Sequence, residues 1–205
     1  MTKINMKKGD APVSLTKTPG LTARMTWSSH TDYDLYAIVL RTNGDVEYVA
    51  TFEARGVPAR LSTADGAVKH LGDVGRGAHG TAEEVIEITL NDSIRAVVPV
   101  AYSAQSNGAG SFYRYRVTLE IDNGPAGEKV AISAENANND DRVYSCVPGM
   151  IENTRDAVVI HALEQYSRRG SENRPTMKHG RGGLLRKGPE TIEVVMDAGP
   201  RNRYK

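Results

Sequence analysis

Tyr36-Ala-Ile-Val-Leu40, then Thr42-Asn-Gly-Asp45, then Val46-Glu-Tyr-Val-Ala-Thr-Phe52 decide the fold class. Two runs rich in β-branched and aromatic residues flank Asn43-Gly44. Asn-Gly in that setting is the strongest short signal for a β-hairpin, because both residues accept positive φ. The period of two continues outward. Val85-Ile-Glu-Ile-Thr-Leu90 alternates, and Ile94-Arg-Ala-Val-Val-Pro-Val-Ala-Tyr102 reads as a strand. Pro99 has no N–H to give a ladder, which assigns that strand to an edge or a bulge. Tyr113–Ile121 alternates into the turn Asp122-Asn-Gly-Pro125, and Lys129–Ser133 is the return strand. Asp156–Tyr166 fits one or two helical turns, but its Val-Val-Ile core favours a strand. Short strands at 36–40, 46–52, 85–90, 94–102, 113–121 and 129–133, separated by turn residues, predict an all-β sandwich of two mainly antiparallel sheets.

Composition sets outer bounds. The chain has 205 residues, 39% hydrophobic and 25% charged, which suits a globular protein with a sizeable core. No apolar run reaches membrane-span length, and the amino terminus lacks the apolar stretch of a signal peptide. The one cysteine, Cys146, excludes an internal disulfide framework and fits a reducing compartment, so a cytoplasmic location is expected. A packing role for Cys146 is the ordinary reading.

The net charge of +1 conceals an asymmetry: residues 1–165 carry 16 basic and 21 acidic side chains, and residues 166–205 carry 10 and 4. This divides the chain into a domain over 1–166 and a basic, glycine-containing extension over 167–205. Thr191–Met196 alternates and reads as a last strand packed on the domain, whereas Arg168–Lys187 is expected to be mobile. A basic extension is suited to an anionic partner such as nucleic acid or an anionic surface. Only Tyr166 and Tyr204 flank it, too few aromatics for a base-stacking platform, so a solvated extension is the ordinary reading.

Chemistry concentrates in Asp65-Gly-Ala-Val-Lys-His-Leu-Gly-Asp-Val-Gly-Arg-Gly-Ala-His-Gly-Thr-Ala-Glu-Glu84. Loops this long inside a compact domain are usually functional. Its carboxylates, with those of Thr31-Asp-Tyr-Asp-Leu-Tyr36, make Asp32, Asp34, Asp73, Glu83 and Glu84 candidate ligands for a hard cation. Gly75 and Gly77 would let carbonyls turn inward. From spacing alone, solvated acidic loops explain the same residues. The segment is not an EF-hand, since no D-x-[DN]-x-[DN]-G run ends in a correctly spaced glutamate. Gly75–Gly80 matches G-x-G-x-x-G, but a strand-like pattern follows it where a dinucleotide site needs a helix. His70 and His79 read as solvated loop residues. Glu135–Asp141 reads as a turn rich in Asn and Asp.

Both acidic segments resemble a known family. Thr31-Asp-Tyr-Asp-Leu-Tyr-Ala37 is similar to the Asp-Phe-Asp-Leu-Asp-Ala element of the TerD tellurium-resistance and stress proteins. Asp65 to Glu84 is similar to that family's DG-S-V-x-H-x-GDN…G-x-G-x-G-DDE loop, and Lys7–Lys17 to its opening strand. The resemblance runs over residues 4 to 165. It implies a β-sandwich with long calcium-type loops, bound calcium, a non-catalytic scaffold or signalling role in stress or tellurite resistance, and protein partners in a stress-response complex. The departures are oxygen losses: Tyr36 replaces an aspartate, Val74 an asparagine, and Ala78, Gly80 and Ala82 stand at acidic positions, while Glu83 replaces an aspartate. Calcium affinity follows ligand charge, so a weakened site is expected. The alternative is a calcium-independent module acting through its basic extension.

Overall fold

Alternation along the chain is realised as strands with one wet and one buried face. A computed structural model describes residues 2–28, 31–73, 80–103, 111–136, 140–180 and 191–203. Among them the strands are β1 (Thr2–Met6), β2 (Val13–Thr16), β3 (Gly20–Ser28), β4 (Asp34–Arg41), β5 (Val46–Val49), β6 (Val68–His70), β7 (Thr81–Thr89), β8 (Ile94–Tyr102), β9 (Thr118–Asn123), β10 (Glu128–Ser133), β11 (Ser145–Asn153), β12 (Ala157–Tyr166), β13 (Thr176–Gly180) and β14 (Thr191–Val195). They form one sheet ordered β1-β10-β9-β3-β7-β6, a second ordered β2-β12-β11-β8-β4-β5, and the β13-β14 pair. Only β1 with β10 is parallel among these pairs. The fold is the expected all-β sandwich. No described helix is long and apolar enough to cross a membrane.

The first sheet is amphipathic. In β3, Leu21, Ala23, Met25 and Trp27 are buried between half-exposed neighbours, and β7 buries Ala82, Glu84, Ile86 and Ile88. These side chains meet Leu35, Ala37, Val39, Val97, Ile151 and Ile160 of the second sheet in the main core. The second sheet differs, because every residue of β4 is buried. Its outer face carries Tyr36, Ile38, Leu40, Val98, Val100 and Tyr102. Met177 of β13 and Val194 of β14 cover them. A run apolar on both faces needs cover on both sides, and the carboxy-terminal hairpin provides the second.

One local expectation narrows, edge or bulge at Pro99 to the bulge, and three change. Pro99 stands in a central strand, between β11 and β4. Its missing N–H is tolerated because β11 bulges there: four β11 residues span the interval between Cys146↔Ala101 and Ile151↔Val97, where β8 has three. Residues 112–116 form a turn, with Arg116 at φ 55, so β9 begins only at Thr118. At Asn43-Gly44 only Gly44 takes positive φ (93°), and Asn43 Oδ1 accepts the Asp45 N–H at 3.0 Å. The stretch Arg168–Gly180 is tied down, with Arg174 fully buried, and residues 181–190 lie outside the described residues.

Candidate metal centre

The segment from Asp65 to Glu84 is not one loop. Val68-Lys-His70 alternates buried, exposed, buried and pairs with β7, with Val68 opposite Ile88 and His70 opposite Ile86. Asp65 closes the turn before it. Arg41 grips Asp65 with both terminal nitrogens (2.8 and 3.1 Å), and Thr63 Oγ1, the Ala67 N–H and Asn91 Nδ2 donate as well. This guanidinium, with the other donors, holds the Asp65 carboxyl well below the usual carboxylate range. Asp65 is therefore a structural anion.

The other end of the segment is built differently. Glu84 shares its strand face with Ala82, Ile86 and Ile88, so its carboxylate projects inward and is 1% exposed. It reaches across the sandwich, where Oε2 accepts the Leu35 N–H at 2.7 Å. His70 completes the bridge. The Gly72 N–H donates to His70 Nδ1 at 3.0 Å, so that nitrogen is unprotonated and Nε2 carries the hydrogen donated to Leu35 O at 2.8 Å. Nε2 also stands 3.4 Å from Glu84 Oε2. The β4–β5 ladder stops at Ala37↔Val49. Beyond it, Glu84 and His70 satisfy the Leu35 backbone as a neighbouring strand would.

Asp34 begins β4, next to this bridge. An aromatic cluster fixes its approach: Tyr33 stacks on Phe112 at 5.3 Å and meets Trp27 edge-on at 5.9 Å, while Trp27 Nε1 donates to Thr31 O at 3.0 Å. Asp73 follows β6 and Gly72, whose φ of 119° turns the chain. The outcome is a group of three carboxylates, Asp34, Asp73 and Glu84, with ligand oxygens all within 4.8 Å of one another. Asp34 and Glu84 are buried and Asp73 is exposed, which gives solvent access from one side. An oxygen-only donor set fits a hard cation, and calcium accepts carboxylate, carbonyl and water oxygens in flexible geometry. The residues present fit a hard cation.

Two of the five sequence candidates stand outside this group. Consecutive strand residues face opposite sides, so Glu83 lies on the outer face, where Arg24 donates to it at 2.7 Å. Asp32 is half-buried and is not among the grouped carboxylates. Gly75, Gly77, His79, Val74 and Ala78 lie outside the described residues. Tyr36 turns to the outer cluster and packs edge-on against Phe52 at 5.7 Å. His70, expected as a solvated loop residue, is 4% exposed; the alternation Val68, Lys69, His70 is the signal for its burial. In the Glu135–Asp141 segment, Asp140 pairs with Arg169 at 2.5 Å and Asp141 accepts from Ser111 Oγ. Cys146 is buried in the core, and burial pushes its thiol pKa up.

No protein-family model matches the chain, and no curated protein matches its sequence. Solved structures similar to it include two crystal structures. One is of a homologue of telluride resistance protein (TerD) from Streptomyces coelicolor A3(2), with a TM-score of 0.47 and 15% identity over 72% of this chain and 89% of that one. The other is of a protein of unknown function, with a TM-score of 0.45 and 15% identity over 72% of this chain and 91% of that one.

Proposed function

We propose that the protein is a TerD-like, non-catalytic calcium-binding module of a cytoplasmic stress response, including tellurite resistance, that acts as a scaffold or signalling unit for protein partners. One observation carries this reading: Asp34, from the first acidic segment, meets Asp73 and Glu84, from the second, within 4.8 Å. These are motif positions of the TerD resemblance, far apart in sequence and joined only by folding. Bound calcium would supply positive charge that offsets the mutual repulsion of the three carboxylates. Asp34 would tie such an ion to the second sheet, Glu84 to the first, and Asp73 to the chain leaving β6. His70 and Leu35 hold Glu84 in orientation through Oε2. Binding would couple the two sheets to the following loop and so shape a partner surface.

Calorimetric titration of metal-stripped protein with calcium tests the reading. Asp34→Asn and Asp73→Asn each remove one formal charge and should each lower calcium affinity, roughly ten-fold for a loss of about 1.4 kcal/mol. Calcium should raise the melting temperature of the unaltered protein, since it binds only the folded state. No heat and no thermal shift at millimolar calcium would remove the calcium reading. Glu83→Gln serves as the control and should leave calcium binding in place.

A further inference from the structure

A single buried side chain reaches all three carboxylate-bearing segments of the cation centre. Both ring nitrogens of His70 are engaged. Nδ1 accepts the Gly72 N–H at 3.0 Å, and Gly72 is the residue before Asp73. Nε2 donates to Leu35 O at 2.8 Å, and Leu35 is the residue after Asp34. The same nitrogen stands 3.4 Å from Glu84 Oε2, the atom that accepts the Leu35 N–H. The backbone of His70 is itself held from both sides. It lies opposite Ile86 of β7, and its N–H donates to Leu61 O at 2.8 Å. The imidazole therefore projects from a fixed base.

We infer that His70 is the positioning residue of the cation centre, setting the places of Asp34, Asp73 and Glu84 together through one ring. This rests on the calcium reading proposed above. Three carboxylates with oxygens within 4.8 Å of one another repel, so the surrounding chain has to hold their spacing before an ion arrives. An imidazole suits that task, because it offers an acceptor and a donor on a rigid ring. Groups that orient metal ligands commonly carry about 10–100-fold of the metal affinity. The two halves of the contact are separable. The amide nitrogen of a glutamine reaches as far as Nε2 and keeps the donation to Leu35 O, but leaves the Gly72 N–H without this acceptor. The amide oxygen of an asparagine takes the place of Nδ1 and keeps Gly72, but falls short of Leu35 O.

The test is calorimetric calcium titration of the metal-stripped full chain at one fixed pH. Thermal unfolding in calcium-free buffer checks that each variant folds. His70→Gln and His70→Asn should each lower calcium affinity about ten-fold. A side chain that only fills the core would lower the melting temperature and leave the affinity alone. Double-mutant cycles then assign the halves. His70→Gln acts through the Asp73 segment, so its loss should largely disappear in an Asp73→Asn background and persist in Asp34→Asn. His70→Asn should show the reverse coupling, shrinking with Asp34→Asn and persisting with Asp73→Asn. Unchanged affinity in both His70 variants overturns the inference and leaves the calcium reading in place, as do losses that add fully with both aspartate variants. No calcium heat from the unaltered protein overturns the calcium reading, and the inference with it.

Discussion

The two faces of the second sheet bury side chains from the same strands by different means. Inward, Leu35, Ala37 and Val39 of β4 meet Met25, Ile86, Leu119 and Ile132 in a core closed by two six-stranded sheets. Outward, Tyr36, Ile38 and Leu40 are covered by a two-stranded hairpin and the chain around it. A hairpin alone is marginal in water, so the outer layer is fixed by polar anchors. Arg174 is fully buried, with Tyr36, Tyr48 and Phe52 rings 5.0, 5.3 and 4.8 Å from its guanidinium carbon. It donates to Asn202 Oδ1 and to Phe52 O at 2.9 Å. Tyr102 donates to the buried Glu172. The inner face is specified by apolar volume, and the outer face by where a few hydrogen bonds must meet.

The sharpest break in this comparison is truncation after Tyr166. It removes β13, β14, Arg174 and Glu172, and it strips cover from Tyr36, Ile38, Leu40, Val98, Val100 and Tyr102. The expected outcome is a large fall in melting temperature with aggregation or dye-binding exposed apolar surface. An unchanged melting temperature would show that the sandwich needs only its inner core.

Substitutions at Arg174 test the anchors more finely. Burial lowers the Arg174 pKa, which reflects the cost of holding a charge out of water. Arg174→Ala should destabilise by about 3–5 kcal/mol, as a large buried side chain lost to a cavity. Arg174→Met keeps most of the volume and removes the desolvation cost, so it should lose less. Met177→Ala, a purely apolar deletion in the same cluster, should cost about 2–5 kcal/mol. Chemical denaturation ranks them. If Arg174→Met is as damaging as Arg174→Ala, the hydrogen bonds to Asn202 and Phe52 outweigh packing.

The comparison also explains what was legible in the sequence. The β4–β5 hairpin announced itself through Asn43-Gly44, and β7 through Ile86 and Ile88. The same alternation assigns Glu84, two residues before Ile86, to the inner face and Glu83 to the outer, whereas the carboxylate content of the segment gives both as candidates. Strand β11 was hidden by Pro148-Gly149, which reads as a turn. Gly149 is needed there because a Cβ would stand 2.5 Å from Ile132 Cδ1 and 2.8 Å from His161 O. Strand β3 was hidden because one of its inward positions, Ala23, is small and its outward ones include Thr22 and Arg24. Arg174 looked like part of a polar, mobile stretch. Its aromatic cage comes from residues 36, 48 and 52, and no local pattern reports a contact at that separation.

The smallest predicted effect separates two arginines near the same strand. Arg41 ends β4 and pairs with carboxylates, Asp65 at 2.8 Å and Glu47 at 2.5 Å. Arg174, whose hydrogen bonds go to an amide oxygen and a carbonyl, has neutral acceptors that do not titrate. Acid should therefore loosen the Arg41 contact and leave the Arg174 anchor untouched. The folded pKa of Asp65 is depressed, first by its hydrogen bonds from Arg41. Its stabilising contribution is thus complete above its unfolded value of about 3.9 and is lost as pH falls through the folded value. The Asp65 side chain is 36% exposed, so solvent and salt screen the pair and the effect is modest. Asp65→Asn should lower stability slightly at neutral pH and flatten the loss of stability below about pH 4, while Arg174→Met leaves that slope as it is. Denaturation midpoints of the three proteins across the acid range decide it: an acid slope that Asp65→Asn leaves unchanged would assign the titration elsewhere.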